Sequence, residues 1–213
     1  MSALDTAGNE SAQSSGALAL PDTTTPANLN VPLRINFQNN AATVPAGYIK
    51  DHGQPFANVR GFGWVLPGSS TPLDLAVGGT TPGNGRDRGE SASGLDQRLD
   101  TLLHMQADDV ASFNGTSAEG AWEVALPNGS YDVEVSVGDA SVGFDPTTHV
   151  INVEGVSAIS GFTTVPGTAP MGADRFRSAT VQVTVNDGRL TIDAVGGTNT
   201  KINYLIIDAA AAP

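Results

Sequence analysis

Two stretches concentrate the side chains that can do chemistry. "GYIKDHGQPFANVRGFGWV" (47–65) sets Tyr48, Phe62 and Trp64 among glycines and polar residues. Rings in such company suit stacking on the apolar C–H faces of sugars, with polar neighbours for the hydroxyls. Tyr48 follows Pro45, Ala46 and Gly47 and belongs on the surface. Phe62 and Trp64, two apart, share one strand face, so filling a core is their alternative role. The second stretch is "GGTNTKINYLIID" (196–208), an apolar strand led in by two glycines and small polar residues. Asn199 and Thr200 would offer donors and acceptors to a ligand there. A loop that merely turns is the other reading.

Charged motifs come next. "GNGRDRGE" (83–90) carries Arg86, Asp87 and Arg88. Guanidinium forks bind carboxylates and planar polar groups bidentately, or they brace loops. "DQRLD" (96–100) holds Asp96 and Asp100 beside Arg98. Two carboxylates suit glycoside hydrolysis, but charges on the outer face of a strand give the same pattern. There is no GxSxG, HExxH or phosphate-loop motif. The three histidines, His52, His104 and His149, lack metal spacing. The expectation is a chain that is not an enzyme.

The elements that must position these residues read as strands. "WEVALPNGSYDVEVSVG" (122–138) alternates on both sides of Asn128-Gly129, and "ATVQVTVNDGRLTIDAV" (179–195) does so around Asp187-Gly188. Both read as two-residue hairpins, whose turns need positive φ. "LRINF" (33–37), "HVINVEGV" (149–156) and "KINYLIID" (201–208) add strands. "LDQRLDTLLHMQ" (95–106) fits a helical stripe or a strand face, and its surroundings favour the strand. Trp122, Val124, Val133, Val135, Val183, Ile192 and Ile206 are the expected core. If both Gly turns sit at one end of a sandwich, the loops after residues 138 and 195 meet at the other. The expected fold is all-β, a two-sheet antiparallel jelly-roll sandwich with almost no helix.

Residues 1–30 are rich in Ser, Thr, Ala, Asn and Pro and read as a flexible linker, in which "ALALP" (17–21) could add an edge strand. The sandwich is expected over 31–209, and 210–213 begin a second linker. Linkers on both sides imply neighbouring domains in the same polypeptide. The 213 residues carry a net charge of -12, no cysteine and only two lysines, Lys50 and Lys201. That balance repels nucleic acid and anionic membrane surfaces. The absence of cysteine excludes disulfides and thiolate metal sites. No apolar run approaches the roughly 20 residues of a membrane span. The composition fits an extracellular or cell-surface module.

Taken in order, "RINFQ", "VPAGYIKDHGQPF", "GFGWV", "RDRG", "DQRLDTLLHM", "VALPNGSYDVEVSVGDAS", "HVINVEGV" and "VNDGRLTIDAVGGTNTKINYLIID" resemble the malectin-like, galactose-binding-type modules of bacterial extracellular proteins. The resemblance covers about residues 33–208. It implies noncatalytic binding of a saccharide or glycan through loops at one end of a jelly roll. The loops "GDASVGFDPTTH" (138–149) and "GGTNT" (196–200) then carry Asp139, Phe144, Asn199 and Thr200. Malectin's aromatic pair is a single Phe here, and its acidic residue is replaced by neutral polar groups. The expected ligand-binding set is Tyr48, Phe62, Trp64, Asp87, Arg88, Asp139, Phe144, Asn199 and Thr200. No organic cofactor is expected. A structural calcium ion is the one metal the oxygen-rich loops suit, with Asp139, Asp145 and Asp208 as candidate ligands. The competing function is a structural or adhesive sandwich that spaces or assembles domains without binding sugar.

Overall fold

The computed structural model describes residues 25, 27–76, 83–107, 110, 113–141, 147–164 and 172–211. These residues form twelve strands: β1 (Leu33–Phe37), β2 (Ile49–Asp51), β3 (Phe62–Val65), β4 (Gly85–Asp87), β5 (Thr101–His104), β6 (Ala121–Ala125), β7 (Gly129–Gly138), β8 (Thr148–Val153), β9 (Val156–Thr163), β10 (Phe176–Val185), β11 (Arg189–Asp193) and β12 (Lys201–Ala209). One sheet runs β10-β7-β12-β1-β2, with β5 added beside the start of β12 and β4 beside β5. The other runs β3-β6-β11-β8-β9. All pairings between strands are antiparallel except β1 with β2. The expected two-sheet sandwich is therefore what forms. The only α-helix among the described residues is the single turn α1 (Gln97–Asp100). No described helix is long and apolar enough to cross a membrane.

The core lies where the apolar faces meet. Tyr131, Val133, Val135 and Val137 of β7 are buried, as their period of two requires. Phe37 sits between Trp64 and Trp122, edge-on to each at 5.8 Å. Both indole N–H groups donate to one buried carboxylate, Asp51, at 2.9 Å from Trp64 and 2.8 Å from Trp122. Gly53 N donates to the same group at 2.7 Å. Burial pushes the Asp51 pKa up.

Four expectations need correcting. Asn128-Gly129 and Asp187-Gly188 are not hairpins. β6 and β7 belong to different sheets, as do β10 and β11, so each turn is an arch across the sandwich. Among the four turn residues only Gly188 has positive φ, at 82°. Asn128 is used differently: its Nδ2 donates to Asn186 O, and its Oδ1 accepts from Gly188 N, both at 2.8 Å. The amide staples one arch to the other. "HVINVEGV" is not one strand. It folds back at Glu154 (φ 49°) and Gly155 (φ 72°), with Val153 paired to Val156. This is the tight turn with two left-handed residues. Glu154 tolerates that conformation while tied to β11: its N–H donates to Thr191 O at 2.9 Å, and its carboxylate accepts from Thr191 N at 2.6 Å.

Third, "LDQRLDTLLHMQ" divides. Asp96 accepts from Arg98 N at 2.9 Å and caps α1, and β5 follows. Fourth, Ile206 is only half-buried, while Leu205 and Ile207 face the core. An irregularity between Ile202 and Tyr204 shifts the side-chain alternation of β12 by one. The other six expected core residues are buried. "ALALP" lies outside the described residues. Residues 27–31 lie against the sandwich: Ala27 N donates to Asn58 O at 2.9 Å, and Leu29 and Val31 pack on the core.

Candidate functional site

The two arches define one end of the sandwich, because Asn128 joins them. β7, β11 and β5 run away from that end, and β8 and β12 start at the other. The loops after Gly138, Asp193 and His104 therefore meet there. The expected convergence holds. Thr198 N donates to Thr148 O at 2.8 Å. Gln106 ties the chain after β5 to the loop between β11 and β12: Nε2 donates to Ala194 O (3.0 Å) and Gly197 O (3.2 Å), and Oε1 accepts from Thr200 N (3.3 Å). Gly196 adopts φ 94°. Gly197 has no room for a Cβ, which would stand 2.4 Å from Thr200 Oγ1 and 2.9 Å from Thr148 O. One glycine is needed for its backbone angle and the other for close approach.

Asp139 locks this end. Its Oδ1 accepts from Arg88 Nε (2.7 Å) and Ser141 N (2.9 Å); its Oδ2 accepts from Arg88 Nη2 (2.7 Å) and forms an ion pair with Lys201 Nζ at 2.9 Å. Arg175 Nε donates to Asp139 O at 2.9 Å, and Arg175 also reaches Ser141 O. Burial works to raise the Asp139 pKa, but Lys201 and then Arg88 outweigh it and hold the carboxyl at about 2. All of these contacts lie within the protein, so Asp139 acts as a brace.

Beside the brace lies a ring cluster. His104 Nδ1 is 2.5 Å from Asn199 Oδ1. An amide oxygen only accepts, so Nδ1 carries the proton and donates. Burial first, then Lys201, drives the His104 pKa down to about 3 and keeps the imidazole neutral. The Phe113 ring lies edge-on to His104 at 4.9 Å, with the Arg86 guanidinium carbon 5.2 Å from its centroid. Arg86 is fixed by Gly83 O and Gly85 O, both at 2.7 Å, and by Asn114 O at 3.1 Å. Asn84 pins the Phe113 loop: Nδ2 donates to His104 O (3.1 Å) and Thr116 O (3.2 Å), and Oδ1 accepts from Thr116 N (2.8 Å). Phe113 and Asn199 are half-buried, and Thr198 is exposed. The arrangement offers a fixed aromatic edge among oriented polar groups.

The expected binding residues divide accordingly. Asn199, Thr200, Asp139 and Arg88 come together at this end. Thr200 is buried, its hydroxyl accepting from Val150 N at 3.2 Å. Arg88 is engaged by Asp139. Asp87 is exposed and accepts from Gly89 N at 3.0 Å. Phe62 and Trp64 belong to the core, 4% and 0% exposed, so their rings are not surface platforms. Tyr48 is half-buried elsewhere, 3.2 Å from Arg98 Nη1 and edge-on to Tyr204 at 6.2 Å. Phe144 and Asp145 lie outside the described residues.

The paired carboxylates are also spoken for. Asp96 pairs with Arg98 at 2.6 Å; buried Asp100 accepts from Glu90 N (2.9 Å) and Ser91 N (2.8 Å). Asp208 is exposed near the far end of β12. That is roughly 20 Å from the Asp139 end at the usual strand rise. Among the described residues no group of three or more His, Asp or Glu side chains could hold a metal ion. Sequence reasoning missed Phe113, Asn84 and the His104–Asn199 bond. The available signal was Phe113 itself, a lone aromatic in a polar stretch without alternation.

No family model matches the chain, and no curated protein matches it. Solved structures do. A Bacillus subtilis protein, YXIM, aligns at 19% identity over 84% of this chain and 40% of that one, with a TM-score of 0.47. A Bacteroides uniformis β-glucuronidase aligns at 14% identity over 84% of this chain and 18% of that one, with a TM-score of 0.42. A family 35 carbohydrate-binding module from Clostridium thermocellum aligns at 21% identity over 62% of this chain and 90% of that one, with a TM-score of 0.31. The chain thus spans well under two thirds of the first two proteins. At these TM-scores none carries a residue of its site onto this chain.

Proposed function

We propose that this chain is a noncatalytic module that binds a neutral or weakly polar saccharide at the loop end, with Phe113, Arg86, His104 and Asn199 as contact residues. The observation that carries the reading is the Phe113 ring, held between Arg86 and His104 and next to Asn199. A ring fixed in advance gives apolar contact at small entropic cost. Asn199 spends its oxygen on His104, and among the described residues no acceptor takes its NH2, which leaves a donor for a sugar hydroxyl. Asp96, Asp100 and Asp139 are each engaged, and a carboxyl held at about 2 is a poor proton donor near neutral pH, which supports a noncatalytic role. The acidic, cysteine-free composition supports a place outside the cell or on its surface.

A shallow polar site predicts micromolar to millimolar affinity, roughly 4–8 kcal/mol. A glycan array should give a signal that Phe113→Ala abolishes without moving the thermal midpoint. An empty array, or a Phe113→Ala protein that binds as wild type, would sink the reading. The structural or adhesive reading is favoured by one feature: β10, ten residues long, pairs among the described strands only with β7 and stands at the edge of its sheet. Concentration-dependent self-association without sugar, seen by sedimentation, would favour it.

A further inference from the structure

The edge strands of the two sheets, β9 and β10, come together along one side of the sandwich. A cleft of ≈ 480 Å³ opens between them. Its size falls within the roughly 300–1,000 Å³ of small-molecule sites. Ser160, Gly161, Phe162 and Thr163 line it from β9, and Arg177 and Ser178 line it from β10. Gly161 adopts φ 74° where the β8–β9 register shifts, and a Cβ there would meet nothing within 4 Å. The backbone therefore bends beside open space.

The rear of the cleft is rigid. Phe162 stacks on His149, with ring centroids 5.8 Å apart and planes at 25°. His149 is buried; its Nδ1 accepts from Lys201 N and its Nε2 bonds Thr147 Oγ1, both at 3.1 Å. The Arg177 guanidinium carbon stands 5.3 Å from the Phe162 centroid. The Arg177 side chain makes no ion pair or hydrogen bond with any described residue, its ring contact with Phe162 aside. Among the described residues it is the one charged member of the lining, and none there is acidic. In a chain of 22 acidic against 10 basic residues, a cleft whose described lining carries a cation and no acid is distinctive. The aromatic ring orients the guanidinium, and Ser160, Thr163 and Ser178 add hydroxyls to the lining.

We propose that the β9–β10 cleft is a second binding site, separate from the loop end, for a sugar residue bearing an anionic group, a carboxylate or a sulfate ester. Arg177 receives the anion by charge-assisted hydrogen bonds, which a neutral sugar does not make. The three hydroxyls bond the sugar's hydroxyl groups. The site does not depend on the loop-end reading.

The full chain is titrated with glucuronate, glucose 6-sulfate and glucose, followed by calorimetry and amide NMR. Signals of residues 158–163 and 177–179 should move with at least one anionic sugar and not with glucose. Arg177→Gln should weaken that binding about tenfold, and raising salt from roughly 0.05 to 0.5 M should weaken it in wild type. Phe113→Ala should leave it unchanged, which separates this site from the loop end. Binding of glucuronate alone identifies a carboxylate site, and of the sulfate alone a sulfate site. If neither anionic sugar moves those signals, if glucose moves them equally, or if Arg177→Gln binds as wild type, the proposal is overturned.

Discussion

Asp51 and Asp139 are both fully buried, yet they are opposite in chemistry. Asp51 is bonded by three neutral N–H groups, two of them indoles. With no cation bonded to it, burial dominates and its pKa rises. Asp139 is buried in ion pairs with Arg88 and Lys201, and its pKa falls to about 2. Partner charge, not depth, decides the direction. The two groups also tie different things. Asp51 orients the tryptophans of the core, whereas Asp139 clamps the loops that carry the candidate site.

The largest effect should come from Asp139→Asn. It removes the carboxylate that two cations share, one of them fully buried Lys201, and should cost about 3–5 kcal/mol in urea unfolding. A loss under about 1 kcal/mol would show that the clamp contributes little. Asp51→Asn comes next. One amide oxygen cannot serve all three donors, and its NH2 faces an N–H group, so a loss of about 2 kcal/mol is expected. Only this variant should shift the folded-state tryptophan emission, since both indoles bond Asp51. A similar shift in Asp139→Asn would erase the distinction between core tie and loop tie.

Acid should separate the pair in sign. Asp139, ordinarily near 3.8, contributes stability that is full above that value and is lost as pH falls towards about 2. The gap between wild type and Asp139→Asn should therefore hold from neutral pH to about 4 and then close. Asp51 has a raised pKa, so its folded form takes up a proton first, and its contribution grows as pH falls through that raised value towards 3.8. The gap to Asp51→Asn should widen over the same descent. Urea midpoints measured across acid pH check both slopes, and parallel curves would refute the contrast. The smallest effect is a flat line. His104, held near 3 by burial, should show no ring titration by NMR between roughly pH 5 and 8.

The sequence by itself determined that strands form and which faces of most of them are apolar; that the loops after 138 and 195 meet followed only on the condition that both Gly turns share one end, which the Asn128 bonds met. The first two are local matters: side-chain alternation, and glycines that permit one backbone angle and one close approach. It did not determine where a strand goes after its turn. Alternation on both sides of Asn128-Gly129 is the same for a hairpin and for an arch, and the arch won because β7 pairs with β10 and β12, distant in sequence. The β12 irregularity, which turned Ile206 outward, likewise depends on partners far along the chain. So do the binding candidates. Phe62 and Trp64 carry no local mark of burial; Phe37 and Asp51 capture Trp64, while Phe62 packs on Trp122. Asp139 became a brace because Arg88 and Lys201, 51 positions before it and 62 after, arrive at the same point. Charge pairing and burial act through space, and only the tertiary structure sets those distances.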